Sequence, residues 1–276
     1  MAKVDVNEMS FLDHLEDLRW HLIRATLGVF VAAIVAFSMK SFIFDTVILG
    51  PTEMDFPTYR GLCAAATRIG VETTFCAKEL PFIIQNRTVA GQFSAHIWTA
   101  IFAGFIIAFP YVLYQMWHFI SPGLKPNERR NSRGFIVIAS LLFFLGVLFG
   151  YYVITPLSLN FLANYSISEK ILNEFDLSSV IAVVRSSALA SGLVFELPII
   201  VYFLTKVGLV TPQILKTYRK FALVIVLVLS AVITPPDIAS QVIVAIPILL
   251  LYQVSIYISA IVVKRQKKAQ KKQQHV

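Results

Sequence analysis

The chain has 276 residues, of which 57% are hydrophobic and only 14% are charged, and its formal net charge is +8. A water-soluble domain of this length needs a more polar surface, so the composition excludes an ordinary soluble fold and indicates an integral membrane protein. The densest basic run, "KRQKKAQKK" at 264–272, is typical of a cytosolic tail that contacts anionic lipid. We therefore predict a lipid-contacting tail at 264–276 and no nucleic-acid partner.

Six apolar segments predict an all-α membrane fold with six spans in a single membrane domain, 1–276. The spans are predicted at about 20–39, 95–118, 134–156, 180–205, 220–233 and 238–263. A polar stretch at 40–94 separates the first two. The first apolar segment lacks a small-residue cleavage site, so we expect it to stay in the mature protein.

The fifth segment is unusually short. Its apolar run, "FALVIVLVLSAVI" at 221–233, rises only about 20 Å as a helix, against a hydrocarbon core of about 30 Å. The sequence "TPPD" at 234–237 must then turn the chain. We predict that the fifth and sixth helices are short or recessed and leave a thinned edge.

The distribution of basic residues predicts the orientation. The two termini, together with the loops predicted on the same side of the membrane, contain 17 Lys and Arg residues. The loops predicted on the opposite side contain 6. The positive side faces the cytoplasm, so both termini are predicted to be cytoplasmic and 40–94 to lie outside. There Cys63 and Cys76 could form a disulfide or remain two free thiols.

Acidic residues gather just before the first span, in "SFLDHLEDLRWHLIR" at 10–24. Asp13, three residues after Ser10, fits the cap of a helix start. Asp17 lies about two turns further in, where the helix dipole gives little support and anionic headgroups repel a carboxylate. Glu128 is the single acid of "LKPNERR" at 124–130. Each acid is either a partner of a helix dipole or part of a binding site, and the residues alone leave both open.

Glu196 is a membrane-embedded acid in "SGLVFELPII" of the fourth segment. Such an acid costs several kcal/mol unless it is paired, protonated or exposed to water, so it is a candidate functional or cavity-facing residue. Arg185 lies about 16 Å away along the helix and is expected to reach toward the membrane surface instead of pairing with it. Glu196 keeps open an alternative function, a proton- or ion-coupled secondary transporter; a purely structural scaffold is a third possibility.

The nucleotide, dinucleotide and zinc-protease motifs are missing from the sequence. A P-loop, a glycine-rich dinucleotide loop and an H-E-x-x-H helix each carry their chemistry in a fixed spacing. The five His residues show no ligand spacing either. We therefore predict a protein that is not an enzyme and has no cofactor and no metal site.

Four motifs resemble the TatC family, the receptor subunit of the twin-arginine protein translocase. They are "HLEDLR" at 14–19, "YQMWHFISPGLKPNERR" at 114–130, "FELP" at 195–198 and "TPPDIASQVIVAIP" at 234–247. The resemblance runs from about residue 10 to 262 and implies a concave cup of six helices in the bacterial cytoplasmic membrane, without catalytic activity. It also implies binding of twin-arginine signal peptides at the cytoplasmic face, a multimeric complex with TatA- and TatB-type single-span partners, and transport of folded proteins by the proton-motive force.

The same resemblance assigns functions to individual residues. It implies that Asp17 and Glu128 contact the two signal-peptide arginines, and that Arg19 and Phe119 belong to the recognition region. Asp17 departs from the family's usual Glu and is one methylene shorter, so its reach to an arginine differs.

Three further positions follow from the resemblance. Glu196 matches the membrane-buried acid that faces the cup, and Thr234 and Gln241 match polar positions where single-span partners dock. Gln253 stands where some members carry Glu, which argues against an ionic partner contact at that position.

Overall fold

The computed structural model describes residues 11–71, 73–120, 132–168, 170–234 and 238–274. Within these ranges the chain forms ten α-helices and two three-residue strands. The helices are α1 (Phe11–Ser38), α2 (Pro57–Ile69), α3 (Gly91–Ile120), α4 (Ser132–Phe149), α5 (Thr155–Asn164), α6 (Leu177–Phe195), α7 (Leu197–Val207), α8 (Pro212–Thr217), α9 (Arg219–Ile233) and α10 (Ile238–Gln274). The strands are β1 (Ile83–Gln85) and β2 (Glu174–Asp176), and π-helical turns cover Phe42–Ile48 and Gly150–Ile154.

Five helical stretches in the described part of the chain are long and apolar enough to cross a membrane. They are Leu15–Ser38, Gly91–Ile120, Gly134–Asn164, Leu177–Val207 and Ser240–Lys268. Many of their large apolar side chains are exposed, Phe30 by 62% and Leu141 by 62%, as expected of side chains that face lipid. This confirms the predicted all-helical membrane class. The count of six spans, the single domain and the cytoplasmic termini remain predictions.

Helices α9 and α10 differ in length. Helix α9 has 15 residues, so the predicted short fifth segment is confirmed. Helix α10 has 37 residues and extends beyond the sixth span predicted at about 238–263, and a recessed position of the pair stays a prediction. Its Lys, Arg, Gln and Ala residues after the apolar part are strong helix formers, so the helix continues through the predicted basic tail to Gln274. The turn residues 235–237 lie outside the described ranges.

One end of the molecule is covered by residues 42–90 and 155–176, which we call the loop layer. The sequence predicted only a polar loop here, but the layer contains α2 and a parallel pair of strands, in which Ile83 is opposite Glu174. The sulfur atoms of Cys63 and Cys76 are bonded, with Cα atoms 5.0 Å apart. Tyr59 is fully buried, and its hydroxyl lies 3.1 Å from the Pro51 carbonyl oxygen and 2.9 Å from that of Pro156.

Helices α1 and α3 pack through small residues. A Cβ atom on Gly104 of α3 would lie only 2.6 Å from the backbone nitrogen of Ala33 on α1, so only glycine fits there without displacing a helix. Ala25, Ala33 and Ala36 form the buried side of α1. Small residues let spanning helices approach closely, which is the usual basis of their association in lipid. This contact brings the start of α1 alongside the end of α3.

The predicted fourth span is divided in two at Glu196. Helix α6 ends at Phe195, α7 begins at Leu197, and Pro198 lies in the first turn of α7. Proline has no backbone N–H to donate, which makes the first turn of a helix the position where it is best tolerated.

Candidate functional site

Asp17 lies at the end of the molecule opposite the loop layer, on α1. Its Oδ1 atom is 3.6 Å from Nε2 of His21, one turn further along the helix. The Asp17 side chain is 39% exposed, whereas that of His21 is 14% exposed. Within the part of the chain that the structure describes, His21 is therefore the one chargeable neighbour of this carboxylate, which still faces the surroundings.

Gln115 of α3 holds His21 in place. The Gln115 side chain is buried, and its Oε1 atom lies 2.8 Å from Nδ1 of His21. An amide oxygen only accepts hydrogen bonds, so Nδ1 is the ring nitrogen placed to donate to Gln115. Nε2 is the ring nitrogen that faces the Asp17 carboxylate.

Two more rings extend this cluster along α3. The ring centroid of His118 lies 6.3 Å from that of His21 in a stacked arrangement, and Tyr114 contacts His118 edge-on at 4.5 Å. Sequence reasoning missed His21, Gln115 and His118 as parts of this site. The spacing of Asp17 and His21 by four residues was a usable signal, because side chains so placed meet on a helix.

The other predicted recognition residues lie nearby in the fold or outside the described ranges. Arg19 is exposed on α1, and Phe119 is half-buried one residue before the end of α3. Glu128 lies outside the described residues, as does the side chain of Asp13. The packing of α1 on α3 thus brings Asp17 and Phe119 to the same end of the molecule, while the placement of Glu128 stays a prediction.

Glu196 lies between α6 and α7 and is only 7% exposed. Its Oε1 atom has no hydrogen-bond partner among the described residues. Its carbonyl oxygen accepts from the backbone nitrogens of Ile199 and Ile200, at 2.9 and 3.0 Å, which connects the two helices across the break. A buried carboxyl oxygen without a partner costs free energy, so Glu196 remains a candidate functional residue.

Thr234 and Gln241 bond within the chain at the α9–α10 pair. The Thr234 hydroxyl donates to the Ser230 carbonyl at 2.8 Å, and the Gln241 amide donates to the Leu227 carbonyl at 3.0 Å. Both acceptors belong to α9, so Gln241 ties the start of α10 to the end of α9. Their predicted contact with single-span partners stays a prediction.

These features define a class of protein: a multi-span helical membrane protein that presents an acidic side chain at one end and places a buried acid at a break within a span. The chain matches the family described as TatC, Sec-independent protein translocase protein, over residues 13–247. The chain belongs to this family.

Similar proteins extend over nearly the whole chain. The Sec-independent protein translocase protein TatC of Blattabacterium sp. subsp. Periplaneta americana is 43% identical over 96% of this chain and 100% of its own length. The TatC of Aquifex aeolicus is 32% identical over 95% and 100%. A crystal structure of the twin arginine translocase receptor TatC aligns with a TM-score of 0.69 at 30% identity, covering 91% of this chain and 99% of that one. The protein is therefore a component of a Sec-independent protein translocase.

Proposed function

We propose that this protein is the receptor subunit of a twin-arginine translocase. It binds twin-arginine signal peptides at the cytoplasmic face and, together with TatA- and TatB-type single-span partners, transports folded proteins across the bacterial cytoplasmic membrane by the proton-motive force. The observation that supports this best is the Asp17 carboxylate, which is 39% exposed and is held next to the end of α3 through His21 and Gln115.

The chemistry of a carboxylate suits a signal peptide with paired arginines. A guanidinium group binds a carboxylate through two parallel N–H donors, whereas a Lys ammonium group is a point charge without that geometry. Asp17 supplies one such acceptor, and we propose that Glu128 supplies the second. Two separate acids favour a peptide with two adjacent arginines over one with a single arginine, because each arginine then has its own acceptor.

The α9–α10 pair is the proposed docking surface for single-span partners. Phe221, Val228 and Val232 of α9 are exposed by 67%, 58% and 79%, which gives a partner helix apolar side chains to cover. Thr234 and Gln241 lie at the end of this surface and hold α9 against α10. In this proposal Thr234 and Gln241 fix the position of α10 relative to α9 while a partner contacts the surface.

Photocrosslinking tests the receptor assignment. A photoreactive residue at position 20, one turn from Asp17, is expected to crosslink a twin-arginine peptide and to crosslink its Lys-Lys variant much less. Asp17→Lys and Glu128→Lys should each abolish the crosslink. Glu16→Lys is the matched control, because it makes the same charge change on the preceding, exposed residue. Crosslinking that survives both Asp17→Lys and Glu128→Lys would refute the proposal.

Glu196→Gln separates the receptor from an ion-coupled transporter. The receptor proposal expects peptide crosslinking to be retained in this variant. Glu196 lies within a span and not at the end of the molecule where α1 begins and α3 ends. If Glu196→Gln abolishes transport while Asp17→Lys and Glu128→Lys have mild effects, the transporter is the correct class.

A further inference from the structure

Arg185 occupies an unusual position within a span. It lies in the middle of α6, and its Cζ atom is 4.3 Å from the centroid of the Phe102 ring of α3. Among the described residues no carboxylate lies within 4.0 Å of its guanidinium group. A cation–π contact leaves the edge of a guanidinium group, with its N–H donors, open to another partner.

An apolar groove of about 400 Å³ begins at Arg185. It lies between the end of α1 with the π-helical turn after it, α3, the end of α4 and α6. Its lining includes Phe42, Val47, Ile106, Val147 and Ala188. Thr99 is a polar exception: its side chain is 4% exposed, and its hydroxyl has no hydrogen-bond partner among the described residues.

A second, more polar hollow of about 250 Å³ lies on the other side of Arg185. Thr88, Ser94 and Ser178 contribute hydroxyl groups to its lining, and Trp98 contributes a ring. Thr88 and Ser178 adjoin the strands of the loop layer, so this hollow is nearer to that end of the molecule than the groove is. Arg185 lines both hollows and therefore marks the boundary between a polar and an apolar compartment.

We propose that the two hollows together bind one glycerophospholipid. The phosphate diester would lie at Arg185 and the hydroxyl-lined hollow, and an acyl chain would fill the apolar groove. Charge complementarity favours this ligand, because a guanidinium group binds phosphate oxygens through paired donors. Arg185 lies about 13 Å along α6 from the loop layer, and its long side chain can direct the guanidinium group outward to the level of lipid phosphates.

The acids nearest along the chain do not neutralise this site. Arg87 bonds to Glu174 at 2.9 Å, and its backbone nitrogen lies 3.4 Å from Asp176, which also accepts hydrogen bonds from Ser178. Both carboxylates are thus engaged with groups other than Arg185. The cation is left for a ligand. The hydroxyl groups of Thr88 and Ser94 line the same hollow and can donate to phosphate oxygens, whereas the Ser178 hydroxyl already donates to Asp176.

The lining of the groove favours an acyl chain. Its walls are mainly apolar side chains, and Arg185 at its edge also lines the hydroxyl-bearing hollow. A chain of methylene groups is stabilised by leaving water along such a lining. Crosslinking from position 106 distinguishes an acyl chain from a partner's spanning helix.

Lipid retention by the purified full-length protein tests the site. Native mass spectrometry would count phosphatidylglycerol molecules that stay bound during stepwise removal of lipid. We expect Arg185→Gln to weaken retention of one phosphatidylglycerol about tenfold, which corresponds to about 1.4 kcal/mol. Arg185→Lys should retain part of the affinity. Arg60→Gln is the matched control, because Arg60 is 70% exposed in the loop layer and should not affect retention.

Filling the groove tests the acyl chain separately. Ala103 lines the groove, so Ala103→Leu should reduce retention while Arg185 is intact. Diacylglycerol, which lacks the phosphate, should bind without dependence on Arg185, and glycerophosphate, which lacks the chains, should bind much more weakly than phosphatidylglycerol. If Arg185→Gln does not fold, the Arg185→Lys and Ala103→Leu variants still decide the question.

Four outcomes would overturn the proposal. The first is equal lipid retention by the wild type and Arg185→Gln, and the second is lipid retention that Ala103→Leu does not change. The third is binding of glycerophosphate as tight as that of phosphatidylglycerol, and the fourth is crosslinking from position 106 in membranes to another protein instead of to lipid. The third outcome would mean a site for free anions, and the fourth a site for a partner protein.

Discussion

The loop layer and the opposite end of the molecule, where α1 begins, use their polar side chains in different ways. In the loop layer, polar groups bond to one another or to backbone carbonyls. Tyr59 reaches two carbonyls, and the amide of Asn173 donates to the carbonyls of Ala163 and Tyr165 at 2.9 and 3.2 Å. At the opposite end, the Asp17 carboxylate lies 3.6 Å from His21, its one ion-pair neighbour among the described residues, and remains partly exposed.

This difference indicates which end mainly fixes the fold and which end presents an acceptor to a peptide. The hydrogen bonds of Tyr59 and Asn173 are made within the loop layer, although Ser158 Oγ and Asn160 Nδ2 have no partner among the described residues. Burial also raises the pKa of the Tyr59 hydroxyl well above its usual range, so that it stays a donor at any physiological pH. Asp17 keeps acceptor capacity because His21 contacts only one of its oxygen atoms. The loop layer therefore fixes helix ends, and the other end presents a partly exposed carboxylate that can accept from a peptide.

The largest effect is expected for Tyr59→Ala. Removing this fully buried side chain leaves a cavity and two carbonyls without their donor, which should lower the free energy of unfolding by about 3–5 kcal/mol. Tyr165→Ala is the matched control, because Tyr165 is in the same layer but 59% exposed; its effect should stay within about 1 kcal/mol. Thermal unfolding in detergent measures both. Similar values for the two variants would show that Tyr59 does not organise the loop layer.

A smaller effect, on binding instead of stability, is expected for Gln115→Leu. This change keeps the side-chain volume but removes the acceptor that orients His21. The loss of one hydrogen bond is worth about 1 kcal/mol, so binding of a twin-arginine peptide should weaken about fivefold. Gln115→Glu retains an acceptor of the same length and should restore binding.

Titration calorimetry with the peptide separates this effect from general damage. If Gln115→Leu strengthens binding, His21 competes with the peptide for Asp17 instead of positioning it. If both Gln115 variants weaken binding equally, the hydrogen bond to His21 is not the cause.

The sequence predicted the helical membrane class well because long apolar runs carry their own signal. It also predicted the short fifth helix, whose apolar run lies between charged residues and "TPPD" at 234–237. It failed for β1 and β2, because three-residue strands are too short for an alternating pattern, and their pairing joins residues about 90 positions apart. The length of α10 was missed because a basic run was interpreted as a tail although its residues favour helix.

The candidate site was predictable in part. Asp17 stood out because a carboxylate is unexpected beside anionic headgroups, and its assigned function came from the family resemblance. The contact of His21 with Gln115 could not be predicted, because 94 residues separate them and neither belongs to a local pattern. Arg185 was expected only to reach toward the surface, since the two hollows it lines form through the packing of several helices.

The smallest effect is expected for Asp176→Asn, in the loop layer just outside α6. The hydrogen bond from the Ser178 hydroxyl, together with backbone donors and the charge of Arg87, lowers the pKa of the Asp176 carboxyl below its ordinary value of 3.8. A lowered native pKa means that the charged form stabilises the fold above pH 3.8 and that this contribution disappears as pH falls through the native pKa.

Asn also caps a helix, so Asp176→Asn removes only the contribution of the charge. The wild type should unfold at a slightly higher temperature than Asp176→Asn at pH 6, and the difference should shrink as the pH is lowered to 3 and below. A difference that stays constant with pH would mean that the carboxylate acts through shape alone. The effect should be far smaller than that of Tyr59→Ala, because water around an accessible carboxylate competes with its hydrogen bonds, whereas no water replaces the buried hydroxyl of Tyr59.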